Sequence, residues 1–371
     1  MLALLLIFIR ELTFVSSLAL SREVDGFHIS YLLLFYVLQI IAAPVQASIS
    51  DFYSRKKGLA YGFLFVFIAH VFLFVALSKG TAFLLVSFII NGLFGNLTPI
   101  ATASLLDVNF GKKSRISMGL VLGTSMVAYL SFYWARWYLN LEIIFWVMTT
   151  LCLLATFLSA FCFYDPRDAD INETDFSLWK EIALIGEMIK KKWFFYSIKG
   201  YYLVYLIWYI LYYYRIETLG PVDVIHAVTA FSLGYLGGVL AQMFVNNNDT
   251  EVISFGVMFS VFITLLFGIY ILFGGKIFNT IVLLNFIFAF YYGVIDPRLY
   301  SYLSTHQHKH RLGTIFGLVE SSDNLSELSS ILIFTLLPKM NIVFLSFFSV
   351  VVLLIAYEVF NKSFKAHRKI I

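Results

Sequence analysis

Charged side chains are scarce. Asp, Glu, Lys and Arg make up 13% of the 371 residues, against about 25% in a typical soluble domain. A chain so poor in charge cannot cover a water-facing surface, which excludes an ordinary soluble enzyme or nucleic-acid binder. Cysteine is scarcer still. Cys152 and Cys162 lie in one apolar run, too few for a disulfide framework or a metal cage, and are expected to be inert buried thiols. The sequence holds no phosphate-binding glycine loop, no nucleophile beside its base and no spaced cysteine pair. An ATP-driven pump or membrane enzyme therefore has no support, and neither cofactor nor metal is implied.

What the chain does have is apolar length. Sixty per cent of its residues are hydrophobic, including 40 Phe and 23 Tyr. A membrane span needs roughly 20 mostly apolar residues, and twelve such runs can be marked at about 2–20, 28–49, 58–78, 82–104, 117–137, 141–164, 195–214, 225–245, 252–273, 278–300, 312–337 and 341–360. The first run lacks a basic start and carries Arg10 and Glu11 in its middle, so it reads as a retained helix rather than a cleaved signal. The eleventh is interrupted by Glu320, Asp323 and Glu327. The expected fold is all-α and integral to a lipid bilayer, with twelve transmembrane helices.

Of the 26 Lys and Arg, 19 fall on one side of this arrangement, 6 on the other, and Arg10 lies inside span one. Positive residues resist translocation, so the basic side and both termini are expected in the cytoplasm. The long connection, residues 165–194, includes Trp179 to Lys192, which reads as a short amphipathic helix on the inner membrane surface. It separates an N-terminal half, residues 1–164, from a C-terminal half, 195–360, followed by a basic tail, 361–371.

Between spans two and three stands Ala47-Ser-Ile-Ser-Asp51-Phe-Tyr-Ser-Arg55-Lys56-Lys57. This stretch resembles the G-x-x-x-D-[RK]-x-G-[RK]-[RK] loop of the major facilitator superfamily of secondary transporters. Ala47 stands for the first glycine, Asp51 for the acid, and Arg55 and Lys56 for the basic pair; Phe52 and Ser54 replace the other cation and glycine. The resemblance implies two pseudo-symmetric six-helix bundles, a loop that gates the inner face through Asp51, Arg55 and Lys56, and a cavity walled by spans one, four, seven and ten. A faint internal repeat agrees with it. Asn91 to Pro99 corresponds to Tyr292 to Pro297, Gly119-x-x-x-Gly123 to Gly313-x-x-x-Gly317, and Asp51 to Asp249. The paired glycines suit close helix contacts between spans five and eight, or two and eleven.

Ionisable groups at membrane depth cost about 2.5–3.5 kcal/mol on insertion scales and so call for a reason. Glu11 is a candidate for a proton or cation and Arg10 for an anionic substrate group; the plainer alternative is that both satisfy a neighbouring helix. Glu320, Asp323 and Glu327 recur at i, i+3 and i+7, which places three carboxylates on one stripe. They are candidates for coupling or substrate binding. Asn91, Gly95, Thr98 and Thr102 form a polar stripe on span four, and Asn285, Tyr292 and Asp296 another on span ten. Span seven presents Tyr201, Tyr205, Trp208 and Tyr212 along one face. Packing against lipid or core explains such aromatics equally well, and an interhelical hydrogen bond would account for Asn91 and Asn285. His70 and Gln39 are read as structural, and His306 to His310 as a solvated basic loop.

Two departures from relatives bear on substrate. Phe88 stands where many proton-coupled members have an arginine, and Thr124 follows Gly123 where drug antiporters have proline. The expected function is a monomeric, proton-coupled symporter in the inner or plasma membrane, moving a small polar or anionic metabolite. Export of amphipathic compounds is the alternative, and a non-transporting receptor or scaffold the third reading.

Overall fold

In an apolar surround, a backbone satisfies its own polar groups most simply within helices. The computed structural model of the protein describes residues 1–108, 114–165, 177–218, 221–245, 248–274, 277–305, 311–337 and 341–368. Among the described residues the regular structure is helical and there is no strand. The helices are α1 (Leu2–Ser21), α2 (Ile29–Phe52), α3 (Arg55–Lys79), α4 (Thr81–Phe94), α5 (Thr98–Val108), α6 (Ser114–Tyr138), α7 (Leu141–Phe157), α8 (Leu178–Lys190), α9 (Lys192–Thr218), α10 (Pro221–Gln242), α11 (Asp249–Leu272), α12 (Ile277–Thr305), α13 (Leu312–Leu336) and α14 (Ile342–Arg368). A π-helical turn, Leu158–Cys162, continues α7.

Nine described stretches are long and apolar enough to cross a membrane, with α4 and α5 counted as one. Three further helices, α9, α12 and α13, are of similar length at 27, 29 and 25 residues. The protein is thus an all-helical, multi-pass membrane protein. Among the described residues the stretches meeting both length and composition number nine, and twelve is reached by adding these three.

Several local expectations change. Span four is two helices, so the Asn91–Gly95–Thr98–Thr102 stripe does not lie on one continuous cylinder. Arg298, counted with the loop cations, lies inside α12 and is fully buried. Arg55 opens α3 instead of sitting in a loop, and is also fully buried. Cys152 is buried as expected, but Cys162 is exposed. It lies at the exposed end of the π turn, where an apolar environment rather than protein packing would cover a thiol.

The fold groups into two units. One comprises Met1–Ser117, Val127–Ile185 and Gln307–Asn324; the other comprises Met118–Met126, Gly186–His306 and Leu325–Ile371. Within the first, Leu12 and Val15 of α1 pack with Ala128 and Phe132 of α6 and with Ile144 and Met148 of α7. Also in this unit, Gly313 and Gly317 of α13 lie against the backbone of Ala47 and Ala43 on α2. Within the second, Gly119 and Gly123 of α6 lie against Val239 and Leu236 of α10. These are the two glycine-mediated pairings that the spacing of small residues predicts. The tightest crossing of the second unit is α10 on α12. A methyl group at Gly234 or Gly238 would overlap the carbonyl of Phe286 or Phe290, and one at Gly293 that of Tyr235.

Candidate functional site

In the first unit the site is built around the interruption of span four. Pro99 has no N–H to return to the carbonyl four residues back, Gly95, so α4 stops and that carbonyl is released. Arg10 of α1 takes it, donating through Nε, while its guanidinium carbon lies 4.8 Å from the centre of the Phe14 ring. The Leu97 amide closes a tight turn onto the same oxygen at 2.9 Å. One residue along α1, Glu11 accepts a 2.6 Å hydrogen bond from the Thr98 hydroxyl at the start of α5.

Adjacent residues on a helix point about 100° apart, and here that divergence is used. Arg10 stands at the negative C-terminal end of α4 and Glu11 at the positive N-terminal end of α5, each placement worth about 0.3–1 kcal/mol and up to about 2 when partly buried. The sequence left open whether these two charges serve function or a neighbouring helix. They meet a neighbouring helix, at its break.

The arrangement is not saturated. Arg10, Asn91 and Asn96 are 5%, 3% and 2% exposed, yet Arg10 Nη1, Asn91 Oδ1 and Asn96 Oδ1 meet no hydrogen-bond partner among the described residues. The Asn96 amide nitrogen donates to the Gly92 carbonyl at 3.1 Å, which fixes where its oxygen points. Asn91 folds back so that its Oδ1 occupies the space a Gly95 side chain would need. An unmet polar atom in such a place costs about 1–3 kcal/mol. Glu11 and Thr98 are only half-buried.

In the second unit the centre is Asp296, 1% exposed and next to Pro297 inside α12. Its Oδ2 accepts from the Tyr205 hydroxyl and, at 2.8 Å, from that of Tyr235. Tyr205 stacks on Tyr201 at 4.2 Å and meets Tyr292 edge-on at 5.9 Å; the Tyr292 hydroxyl donates to the Val204 carbonyl. Trp208 lies against Phe231 at 4.8 Å. Asn285 is buried, with Oδ1 unpartnered among the described residues, as is that of Asn91.

At the Asp51 end of the first unit, Asp51 pairs with Arg55 and accepts from the amides of Gly313 (2.9 Å) and Thr314 (2.6 Å) and the Thr314 hydroxyl (2.7 Å). It therefore caps the first turn of α13, whose free amides favour an anion. Arg55 also reaches Asp107 at 3.2 Å and Ser50 at 2.7 Å. Glu181 of α8 accepts from Ser48 at 2.5 Å and pairs with Arg311. Lys56 contributes its backbone amide to Asp165 at 3.3 Å. In the second unit Arg298 bonds Asp249 at 3.2 Å and the carbonyls of Gln242 and Val245.

Glu320, Asp323 and Glu327 are half-buried along α13. His70 is held by Ser17 at 3.1 Å and Val66 at 2.9 Å, a structural role. The His306–His310 tract and the Tyr212 side chain lie outside the described residues. Among those described, no group of His, Cys, Asp or Glu is arranged to hold a metal ion. Sequence reasoning missed Tyr235, Asn96, Asp107, Glu181 and the pairing of Arg298. For Tyr235 a signal existed in its setting, Gly234-Tyr-Leu-Gly-Gly238, since small residues bring the neighbouring helix close.

The comparisons agree with this architecture. The fold is similar to the crystal structure of the human organic anion transporter MFSD10, at 14% identity over 97% of this chain and 98% of that one, with a TM-score of 0.79. It is similar to a bacterial homologue of the iron transporter ferroportin in an outward-facing state, at 15% identity over 98% and 100%, TM-score 0.77. It is also similar to the fucose:proton symporter FucP of E. coli, at 11% identity over 98% and 97%, TM-score 0.75. No curated protein matches in sequence. The family model described as Major Facilitator Superfamily matches residues 1–331. With that match over most of its length and this fold throughout, the chain belongs to the Major Facilitator Superfamily and is a secondary transporter.

Proposed function

We propose that the protein is a proton-coupled importer of a small polar or anionic metabolite, working by alternating access as a monomer in the inner or plasma membrane. Both termini are cytoplasmic on this reading. The observation that carries it is the setting of Asp296. This carboxylate sits at membrane depth with two neutral phenols, Tyr205 and Tyr235, as its hydrogen-bond partners, while its neighbour Arg298 is engaged elsewhere. An acid without a fixed counter-charge can carry a proton and lose most of its burial cost by doing so. Glu11, held by a threonine hydroxyl, is the corresponding acid of the first half, with Glu320, Asp323 and Glu327 as further coupling candidates.

Substrate contacts fall to Arg10, Asn91 and Thr98 in the first half and to Tyr205, Trp208, Asn285 and Tyr292 in the second. Asp51, Arg55 and Lys56, where α2 meets α3, serve as the inner gate. FucP, a proton symporter, and MFSD10, an organic anion transporter, have the same fold and are compatible with this assignment. Export of an amphipathic compound is the second reading, favoured by the aromatic wall of Tyr201, Tyr205, Trp208 and Tyr292.

Uptake into proteoliposomes, with and without an acid-outside pH gradient, tests the proposal. Concentrative uptake is expected only with the gradient. Equal accumulation after its collapse would refute proton coupling.

A further inference from the structure

We propose that the first two turns of α9 form a binding site for an acidic phospholipid, held by Lys192 and Lys199 with Phe195 and Tyr196 between them. This goes beyond the reading of the protein as an importer and does not depend on it.

Lys192, Phe195, Tyr196 and Lys199 recur at i, i+3, i+4 and i+7, so they share one stripe of α9. Both lysines are exposed, Phe195 is 46% exposed and Tyr196 is half-buried. The stripe covers about 10 Å along the helix. Another side of the same turns is fixed on the protein, within the second unit. The Ser197 and Ser363 hydroxyls meet at 2.7 Å, and Ser363 donates to the Trp193 carbonyl at 2.6 Å. Trp193 meets His367 edge-on at 5.1 Å, and the Phe360 ring lies over Gly200. These contacts set how α9 is rolled and leave the stripe turned to the surround.

The protein offers this stripe little counter-charge. The sole carboxylate of α9 is Glu217, near its far end. The adjoining end of α14 adds three exposed cations, Lys362, Lys365 and Arg368. Its one carboxylate, Glu358, stands one turn before Lys362 and is spaced to pair with it. Along α14 the exposed side chains pass from Val351, Leu354 and Ile355 to Lys362 and Lys365. That change marks the edge of the hydrocarbon, and the ties through Ser363 and His367 bring the start of α9 to the same level.

The chemistry of the stripe selects the occupant. A soluble anion would satisfy the lysines but has no use for an exposed phenylalanine between them. A zwitterionic lipid would bring its own cation into a cluster of cations. An acidic phospholipid supplies a phosphate for the two ammonium groups and an acyl chain for Phe195 and Tyr196, with no positive charge of its own. Lysine stems suit such a place, because they lie along apolar surface while the head stays at the polar boundary. Clusters of this kind next to a span are where acidic head groups collect.

The test uses the full chain in phosphatidylcholine bilayers that carry a minor share of brominated lipid, either phosphatidylglycerol or phosphatidylcholine. Phe195→Trp puts a reporter in the stripe, read as the difference in quenching from the unaltered chain. Brominated phosphatidylglycerol should quench as if enriched about tenfold there, and brominated phosphatidylcholine should show no enrichment. Each lysine near an acidic head group is worth about fivefold in affinity. Lys192→Gln with Lys199→Gln should therefore remove the enrichment, whereas Lys57→Gln with Lys180→Gln, two exposed lysines elsewhere, should keep it. Equal quenching by the two lipids, or by neither, overturns the site. Enrichment that outlasts the loss of Lys192 and Lys199, or falls as far with Lys57 and Lys180, assigns it to general surface charge and overturns the site as well. Displacement by inorganic phosphate at constant ionic strength would make the ligand a soluble anion and overturn the lipid reading. None of these outcomes touches the importer reading, which stands or falls on uptake.

Discussion

The residues that matter most are those whose charged groups are hydrogen-bonded by neutral ones. Arg10 is met by a carbonyl released by Pro99, Glu11 by a hydroxyl at a helix start, and Asp296 by two phenols. Asp51 differs, because it has both Arg55 and three donors of Gly313 and Thr314. An acid held only by neutral donors can change protonation state, as the reading of Asp296 as the proton carrier requires. Replacing Asp296→Asn should therefore abolish gradient-driven accumulation in proteoliposomes while leaving substrate exchange across the membrane measurable. Loss of exchange to the same degree would assign Asp296 to substrate binding instead. Positions 10, 11 and 296 were legible as candidates because charges at membrane depth stand out in an apolar run. Their pairings were not, because Gly95, Thr98, Tyr205 and Tyr235 lie far from them in the chain.

At the scale of the element, proline and glycine decide more than the apolar residues do. Pro99→Ala would restore the missing N–H, allow α4 to continue into α5 and remove the acceptor of Arg10. Uptake is expected to fall by about 10- to 100-fold, the worth of a hydrogen bond to a charged group, with thermal unfolding in detergent little changed. A collapse of stability instead would show the break to be structural alone. Gly238 tests a different property. Any side chain there meets the Phe290 carbonyl, so Gly238→Leu should destabilise the second unit by at least about 1–3 kcal/mol, read as a lowered unfolding midpoint. The glycines expected to pack were Gly119, Gly123, Gly313 and Gly317; Gly234, Gly238 and Gly293, which bring α10 onto α12, were not singled out for packing. The stripe assigned to span four failed for a related reason. Helical periodicity was carried through Gly95, where the backbone changes course.

For the molecule as a whole, Glu181 ties the amphipathic α8 into the first unit. Glu181 is 6% exposed and meets both Ser48 and Arg311, whereas Trp179 and Ile182 of the same helix face outward. Glu181→Ala and Arg311→Ala, made singly and together, should show a coupling energy of about 0.5–3 kcal/mol in a double-mutant cycle on thermal stability. Additive effects would mean that the pair contributes nothing of its own. Reporter fusions after Lys57 and after Arg115 should appear on the same face of the bilayer, and on the cytoplasmic one. Opposite faces would dismantle the proposed topology.

Apolar runs, their length and the bias of their cations were enough to establish a multi-pass helical membrane protein and, with the Asp51 stretch, the family it resembles. Those properties depend on local composition and on a solvent that permits little besides helices, so they can be read one segment at a time. The clamp of Arg10 and Glu11 across a broken span, the phenol-held Asp296 and the capping of α13 by Asp51 could be decided only in three dimensions. Each joins groups between about 60 and 260 residues apart, and each depends on which helix lies beside which. Hydrophobic periodicity does not encode that choice, because in an apolar medium one greasy face resembles another.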